Sequence, residues 1–339
     1  MNLDDETEIS IVIPVYKLNK TIIPLINSLK NQTVNPKEIL IIFSKYETNI
    51  YDKLKKEKII KLIKLINDRG PNHARNIGLN NSKGDIVAFI DSDCIASKKW
   101  LRNIIDSFKL YQIDAIAGSV NTLNKNVFLA RFQEYSLIKP IPKFRKIKIL
   151  KKHLWLNLIV TANFSVKRSV ALQIGGFDER FYRFGADDLE FATRLLRNGF
   201  KILCSPNVVV YHKNRERFTR IIKRYFNYGE GFSLYRIRHP LTFFSFIITL
   251  SAYGTVIGYS LASYFMTKGY IRIPVVAFIT PIIITTFYHI VYSLLKKDFR
   301  FEKITYPILD YVLSLSSIIG IVYMDLSLLY DMIKKIFKK

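Results

Sequence analysis

The chain alternates, over its first 240 residues, between short apolar runs and charged clusters, and then turns into long stretches with almost no charge. Residues 10–15 (SIVIPV) form a β-branched run that Pro14 and a polar loop are expected to stop, which predicts a buried first strand. Residues 21–31 carry Ile22, Leu25, Ile26 and Leu29 at helical spacing. Residues 38–43 (EILIIF), 61–66 and 85–90 (DIVAFI) predict three more buried strands, with a helix over 72–80 before the last. Strands alternating with helices predict an α/β fold with a parallel, doubly wound sheet, in which ligands sit at the carboxyl ends of the strands.

The later half reads differently. Residues 243–266 contain no charge and are long enough to cross a bilayer; residues 273–295 are interrupted only by His289. A third stretch, 304–330, carries Asp310 and Asp325, which leaves a short charge-free centre. The expected organisation is a soluble α/β domain over 1–238, with a basic amphipathic interface helix near 215–236, and a membrane domain over 239–339 with two to three spans. Gly229 and Gly231 are expected to break the interface helix before the first span.

Charge sharpens this picture. The net charge is +25, from 52 Lys and Arg against 27 Asp and Glu, with clusters at 139–152 and 213–238. The second cluster leads straight into the first span, so a membrane surface, a lipid phosphate or a sugar-nucleotide diphosphate explains it better than nucleic acid. The opening decamer is acidic and lacks an apolar core, so no secretory signal is expected. The soluble part is then expected to face the cytosol, as part of a multi-pass protein of the cell membrane. Two spans would return the chain to the cytosol at Lys296 and Lys297; a true third would place the basic tail 334–339 outside, against the positive-inside rule. Cys94 and Cys204 fit a reducing compartment, and neither has zinc-ligand spacing.

Two acidic groups carry candidate chemistry. Asp91-Ser92-Asp93 follows directly on a buried strand; two carboxylates one residue apart repel, and a divalent cation would relieve the repulsion. The alternative is a solvated loop with a helix cap before Trp100. Asp187-Asp188 precede a helix with Phe191, Leu195 and Leu196 on one face. They either favour the helix macrodipole or include a general base.

Together these segments resemble the family 2 glycosyltransferases of GT-A fold over residues 9–230. The opening SIVIPVY, Ala74-Arg75-Asn76-Ile77-Gly78, the strand ending FIDSD, Gly175-Gly176-Phe177-Asp178-Glu179, Asp187-Asp188 seven and six residues before Arg194, and Val210-Tyr211-His212 arrive in the family's order. The resemblance implies a Rossmann-like, mostly parallel sheet followed by transmembrane helices, and an inverting, metal-dependent transfer from a nucleotide-sugar. It implies that Asp91 and Asp93 bring Mn²⁺ or Mg²⁺ to the donor diphosphate, that Asp188 is the base, and that Asp187 supports it or holds the acceptor. His212 completes the metal site, binds the diphosphate, or is structural. Pro14, Ser92, Arg75 and Asn76 belong to the donor pocket, unless Arg75 instead holds its helix through a salt bridge.

One departure stands out. Where the family carries paired acids after the second strand, this chain reads Phe43-Ser44-Lys45-Tyr46-Glu47, so either the nucleobase contact is rebuilt from Ser44, Tyr46 or Glu47, or the donor is an unusual one. The expected acceptor is a polyprenyl- or dolichyl-linked phosphate or glycan, or an extruded polysaccharide. The alternatives are a catalytically degenerate, membrane-bound binder of nucleotide-sugars or carbohydrate, favoured by the altered turn, and a polysaccharide synthase subunit. The synthase's Gln-x-x-Arg-Trp signature is absent from the chain.

Overall fold

The computed structural model describes residues 7–137, 141–152, 159–182, 185–270, 272–296 and 301–336; Lys139, Lys297 and the tail 337–339, named above among the basic segments, lie outside them. The chain forms two compact units. The first holds Met1–Asn124, Pro140–Arg183 and Asp187–Asn214, the second Lys125–Lys139, Phe184–Ala186 and Arg215–Lys339.

In chain order the elements are β1 (Ile9–Leu18), α1 (Ile23–Lys30), β2 (Glu38–Tyr46), α2 (Thr48–Lys55), β3 (Ile60–Lys64), α3 (Pro71–Asn81), β4 (Ile86–Ile90), β5 (Cys94–Ala96), α4 (Trp100–Leu110) and β6 (Ala115–Thr122). Next come α5 (Phe128–Phe132, in the second unit), β7 (Lys148–Leu150), β8 (Asn163–Lys167), α6 (Arg168–Gln173), α7 (Asp187–Arg197) and β9 (Ile202–His212). The second unit continues with α8 (Phe218–Arg238), α9 (Phe243–Thr267), α10 (Arg272–Lys296) and α11 (Tyr306–Ile336).

Among the described residues, nine strands join one sheet in the order β3-β2-β1-β4-β8-β6-β9-β5, with β7 beside β9. The leading four run parallel, as the strand–helix alternation predicts. Antiparallel pairing enters with β8, which lies against both β4 and β6, whereas β6 and β9 are again parallel. The sheet is the mixed, mostly parallel GT-A type. Its pleat sends alternate residues to opposite faces. Ile9, Ile11 and Ile13 meet Leu25, Ile26 and Leu29 of α1 and Trp100 and Ile104 of α4 on one side. Val12, Leu40, Val87 and Phe89 meet α3, α6 and α7 on the other.

Pro14 does not end β1, which runs on to Leu18 in register with β2. On its other flank β4 pairs only as far as Val12, so Pro14 stands where the strand is paired on one side and its missing N–H leaves no gap there. β2 likewise continues through Ser44 to Tyr46.

The second unit corrects another expectation. Gly229 and Gly231 do not break α8, which is continuous from Phe218 to Arg238. A Cβ at Gly229 would collide with the Ser317 carbonyl of α11, one at Gly231 with the Gly185 carbonyl, and one at Gly320 of α11 with the Phe226 carbonyl. Gly229 and Gly320 permit backbone-to-backbone contact between α8 and α11, Gly231 permits it with the bend at Gly185, and that packing outweighs their weak helix preference. Of the three aspartates of α11, Asp310 and Asp325 are paired rather than exposed. Asp310, 1% exposed, accepts from Ser136 Oγ (2.6 Å) and the Leu137 amide (2.9 Å), and pairs with His289 Nε2 at 2.7 Å. Asp325 is bound by Arg236 Nη2 (2.6 Å), Ser233 and Tyr253. By length and composition two segments, Phe243–Thr267 and Phe301–Ile336, are long and apolar enough to cross a membrane, and Ile279–Leu295 is a shorter apolar helix.

Candidate active site

β4 delivers the Asp91-Ser92-Asp93 turn at its carboxyl end, and the chain re-enters the sheet at once as β5. Because β5 pairs antiparallel with β9, Cys94 stands opposite His212, and His212 Nε2 lies 3.4 Å from Asp93 Oδ1. Asn214 fixes the imidazole: its Nδ2 donates to Thr122 Oγ1 (2.9 Å), which turns its Oδ1 toward His212 Nδ1 at 3.0 Å. With Nδ1 engaged there, Nε2 is the ring nitrogen that faces Asp93.

Ligand atoms of Asp93, Cys94 and His212 all lie within 4.8 Å of one another. Cys94 is a core residue, 1% exposed; burial first, then Asp91 and Asp93, push its thiol well above the usual range. A carboxylate oxygen and an oriented imidazole nitrogen suit Mn²⁺ or Mg²⁺, and the protonated thiol does not. Asp91 Oδ1, from the same turn, lies 3.8 Å from Arg75 Nη2.

Arg75 of α3 is 2% exposed and donates through Nη1 to Asp187 Oδ2 and to Asn72 Oδ1, both at 2.8 Å. Its guanidinium also faces the Phe177 ring, 5.6 Å from the centroid. One cation therefore sits between the turn after β4 and the acidic pair that opens α7. Burial alone would lower Arg75, but Asp187, Asp188 and Asp91 together raise it.

The two acids of α7 have different surroundings. Asp187, 4% exposed, is neutralised by Arg75. Asp188 accepts a hydrogen bond from Thr161, while its Oδ1 is enclosed with no partner among the described residues. Desolvation, then the charge of Asp187, push its carboxyl up to about 7, against Arg75 and Thr161. A carboxyl held near neutrality is suited to taking a proton.

Asn76 is occupied differently from the expectation. Its Nδ2 donates to the Phe177 carbonyl (2.9 Å) and Glu179 Oε1 (3.1 Å), and its Oδ1 accepts from the Phe177 amide (2.7 Å). The whole amide holds the 176–179 loop. Pro14, Ser44 and Glu47 lie along the carboxyl ends of β1 and β2; Glu47 pairs with Lys17 at 3.0 Å. Ser92 is half-buried in its turn. Ser44 Oγ donates to Asp68 Oδ2 (2.8 Å), and the Gly70 amide donates to Asp68 Oδ1 (2.9 Å). An acid from the loop after β3 thus stands beside the position where the turn after β2 lacks one. Asp68, Asn72, Thr161 and Asn214 were not found by sequence reasoning. Only Asn72 carried a signal, being three residues before Arg75 on one helix face.

Residues 10–175 match the model of glycosyl transferase family 2, and residues 143–224 match one described as the N-terminal domain of galactosyltransferase. Glycosyltransferase AglE of Haloferax volcanii is 26% identical over 238 residues, covering 66% of this chain and 72% of that protein. The dolichyl N-acetyl-alpha-D-glucosaminyl phosphate 3-beta-D-2,3-diacetamido-2,3-dideoxy-beta-D-glucuronosyltransferase of Methanococcus voltae is 25% identical over 234 residues, 65% of this chain and 71% of that protein. Two further relatives are longer, and the match spans 36% of their length. Among solved structures, mannosyltransferase PcManGT of Pyrobaculum calidifontis in complex with GDP-Man and Mn²⁺ shares the fold, with a TM-score of 0.61 at 15% identity over 93% of this chain and 87% of that one. Residues 10–175 thus carry a glycosyl transferase family 2 domain, and the chain is a glycosyltransferase of GT-A fold.

Proposed function

We propose that the enzyme performs inverting, metal-dependent transfer of a sugar from a nucleotide-sugar to a membrane-associated acceptor, a polyprenyl- or dolichyl-linked phosphate or glycan. The observation that carries this reading is the placement of Arg75 between Asp91 and Asp187, which ties a metal-suited turn to a carboxyl poised near neutrality.

Asp93 and His212, with Asp91 beside them, would hold Mn²⁺ or Mg²⁺, which when bound supplies Lewis-acid neutralisation of the leaving diphosphate. Asp188 takes the proton of the acceptor hydroxyl as that oxygen attacks the anomeric carbon opposite the leaving group, so the configuration inverts. Asp187 and Arg75 fix the position of Asp188 and set its affinity for the proton. Ser44 and Asp68 provide the contact to the nucleobase. The relative from Methanococcus voltae, named for a dolichyl phosphate substrate, supports a lipid-linked acceptor. The apolar helices of the second unit and the run of arginines in α8 support attachment to a membrane, with the first unit on the cytosolic side.

The test is a donor screen on the full chain in detergent with Mn²⁺ or Mg²⁺, scoring transfer into a polyprenyl-phosphate or lipid-linked glycan fraction. Metal-dependent transfer from one nucleotide-sugar, abolished in Asp188→Asn with donor binding intact, is the expected result. Donor binding without turnover in the unaltered chain would favour the degenerate binder.

A further inference from the structure

The second unit carries a groove that the proposed catalysis does not use. α8 and α11 run parallel: the Ile222 carbonyl accepts from Ser316 Oγ at 3.0 Å, Gly229 packs on Ser317, and Ser233 and Arg236 bind Asp325. Where glycines lie at the crossing the backbones touch. On the N-terminal side of that crossing the side chains are larger, and a groove of about 490 Å³ opens between the helices. Its walls include Ile222 and Phe226 of α8 and Leu315 and Ile319 of α11, with Thr219 and Lys223 at its edge.

Two features define what fits. The walls are apolar and continue into the exposed apolar surface of α11, where Ile308, Ile319 and Tyr323 are more than half exposed. The edge is basic: Arg217, Arg220 and Lys223 are exposed, and residues 218–229 contain no acid. Among the described residues, neither Arg220 nor Lys223 has a carboxylate partner. Thr219 and Lys223, four apart on one helix face, present a hydroxyl and an ammonium at the same edge.

We infer that this groove binds an anionic phospholipid of the surrounding membrane, with one hydrocarbon chain between α8 and α11 and the phosphate on Lys223 and Thr219. A soluble apolar peptide would leave the basic edge unanswered, and a free anion would leave the walls uncovered. A lipid with a net negative headgroup answers both, since cationic helix edges attract anionic leaflets while apolar walls take the chain. The inference rests on the membrane attachment proposed above.

The experiment reconstitutes the full chain into nanodiscs of phosphatidylcholine with or without phosphatidylglycerol, each probe carrying a photoreactive group on its acyl chain, and maps the adducts. Adducts from phosphatidylglycerol should concentrate at Ile222, Phe226, Leu315 and Ile319. They should fall several-fold in Lys223→Glu and in the groove-filling Thr219→Trp, with helix content unchanged. Equal labelling by the phosphatidylcholine probe overturns the proposal, as do adducts spread evenly over α9 and α10. Displacement by a polyprenyl phosphate but not by phosphatidylglycerol also overturns it, by making the groove an acceptor site. A chain that never enters nanodiscs fails the membrane reading itself; one that enters but labels indiscriminately fails this inference alone.

Discussion

Arg75 Nη1 and Asp187 Oδ2 meet at 2.8 Å with side chains only 2% and 5% exposed. Removing one member of such a pair leaves the other buried and uncompensated. Asp187→Ala should therefore cost about 3–5 kcal/mol of stability. Arg75→Lys should not restore it, because a point ammonium cannot donate to Asn72 and Asp187 from one planar fork. Denaturant unfolding of each variant measures both; an Asp187→Ala protein of unchanged stability would refute the pairing.

Asp188→Asn should lower turnover about 10²–10⁴-fold while leaving donor binding in place. Because the carboxyl is pushed up to about 7, turnover of the unaltered enzyme should rise with pH and level off above neutrality. Asp187→Asn, which removes the larger of the two raising charges, should move that rise to lower pH. Turnover flat between pH 5.5 and 8.5, to the order set by an unshifted carboxyl of about 3.9, would count against Asp188 as base.

The same shift has a stability consequence with the opposite sense. A carboxyl raised in the folded state contributes stability below its unfolded value and loses it as pH climbs through about 7. Asp188→Asn stays neutral, so above neutrality it should unfold no more easily than the parent. Thermal melts on both sides of neutrality report this directly.

Asn214→Ala removes the acceptor that orients His212. Loss of such an outer partner should weaken Mn²⁺ binding about 10–100-fold. Titration followed by electron paramagnetic resonance gives the affinity; unchanged binding would remove His212 from the metal site.

Gly320→Ala forces a methyl into the Phe226 carbonyl and should destabilise by about 1–3 kcal/mol. Gly254 of α9 has open space around its Cβ position, and Gly254→Ala should be neutral or gain up to about 1 kcal/mol. Melts of the two variants in one detergent separate close packing from helix preference.

Local signals explain what could be read beforehand. The run DIVAFI followed by Asp91-Ser92-Asp93 states its own geometry, since a buried strand must end in a turn and the sheet puts that turn at the ligand edge. Asn76 could not be read this way, because its partners Phe177 and Glu179 lie about a hundred positions on. Gly229 looked like a breaker because a sequence displays its weak helix preference but not the Ser317 carbonyl facing it. Asp310 and Asp325 looked like interruptions of an apolar stretch for the same reason: Ser136, His289 and Arg236 are distant in the chain. Asp68 was hidden by the assumption that the acid missing at Ser44 had to come from the same turn.

The pairing of Cys94 with His212 also sets a timetable. The two residues are 118 positions apart (212 − 94), so a nascent chain exposes the carboxylates of the 91–93 turn long before the imidazole that faces them exists. Closing so long a separation is a late event in folding, since chain entropy opposes it until the intervening strands are in place. The proposed metal centre would thus be a completion mark: it could mature only when β9 has docked, and a chain arrested before that strand would have the acids of the proposed site without its nitrogen.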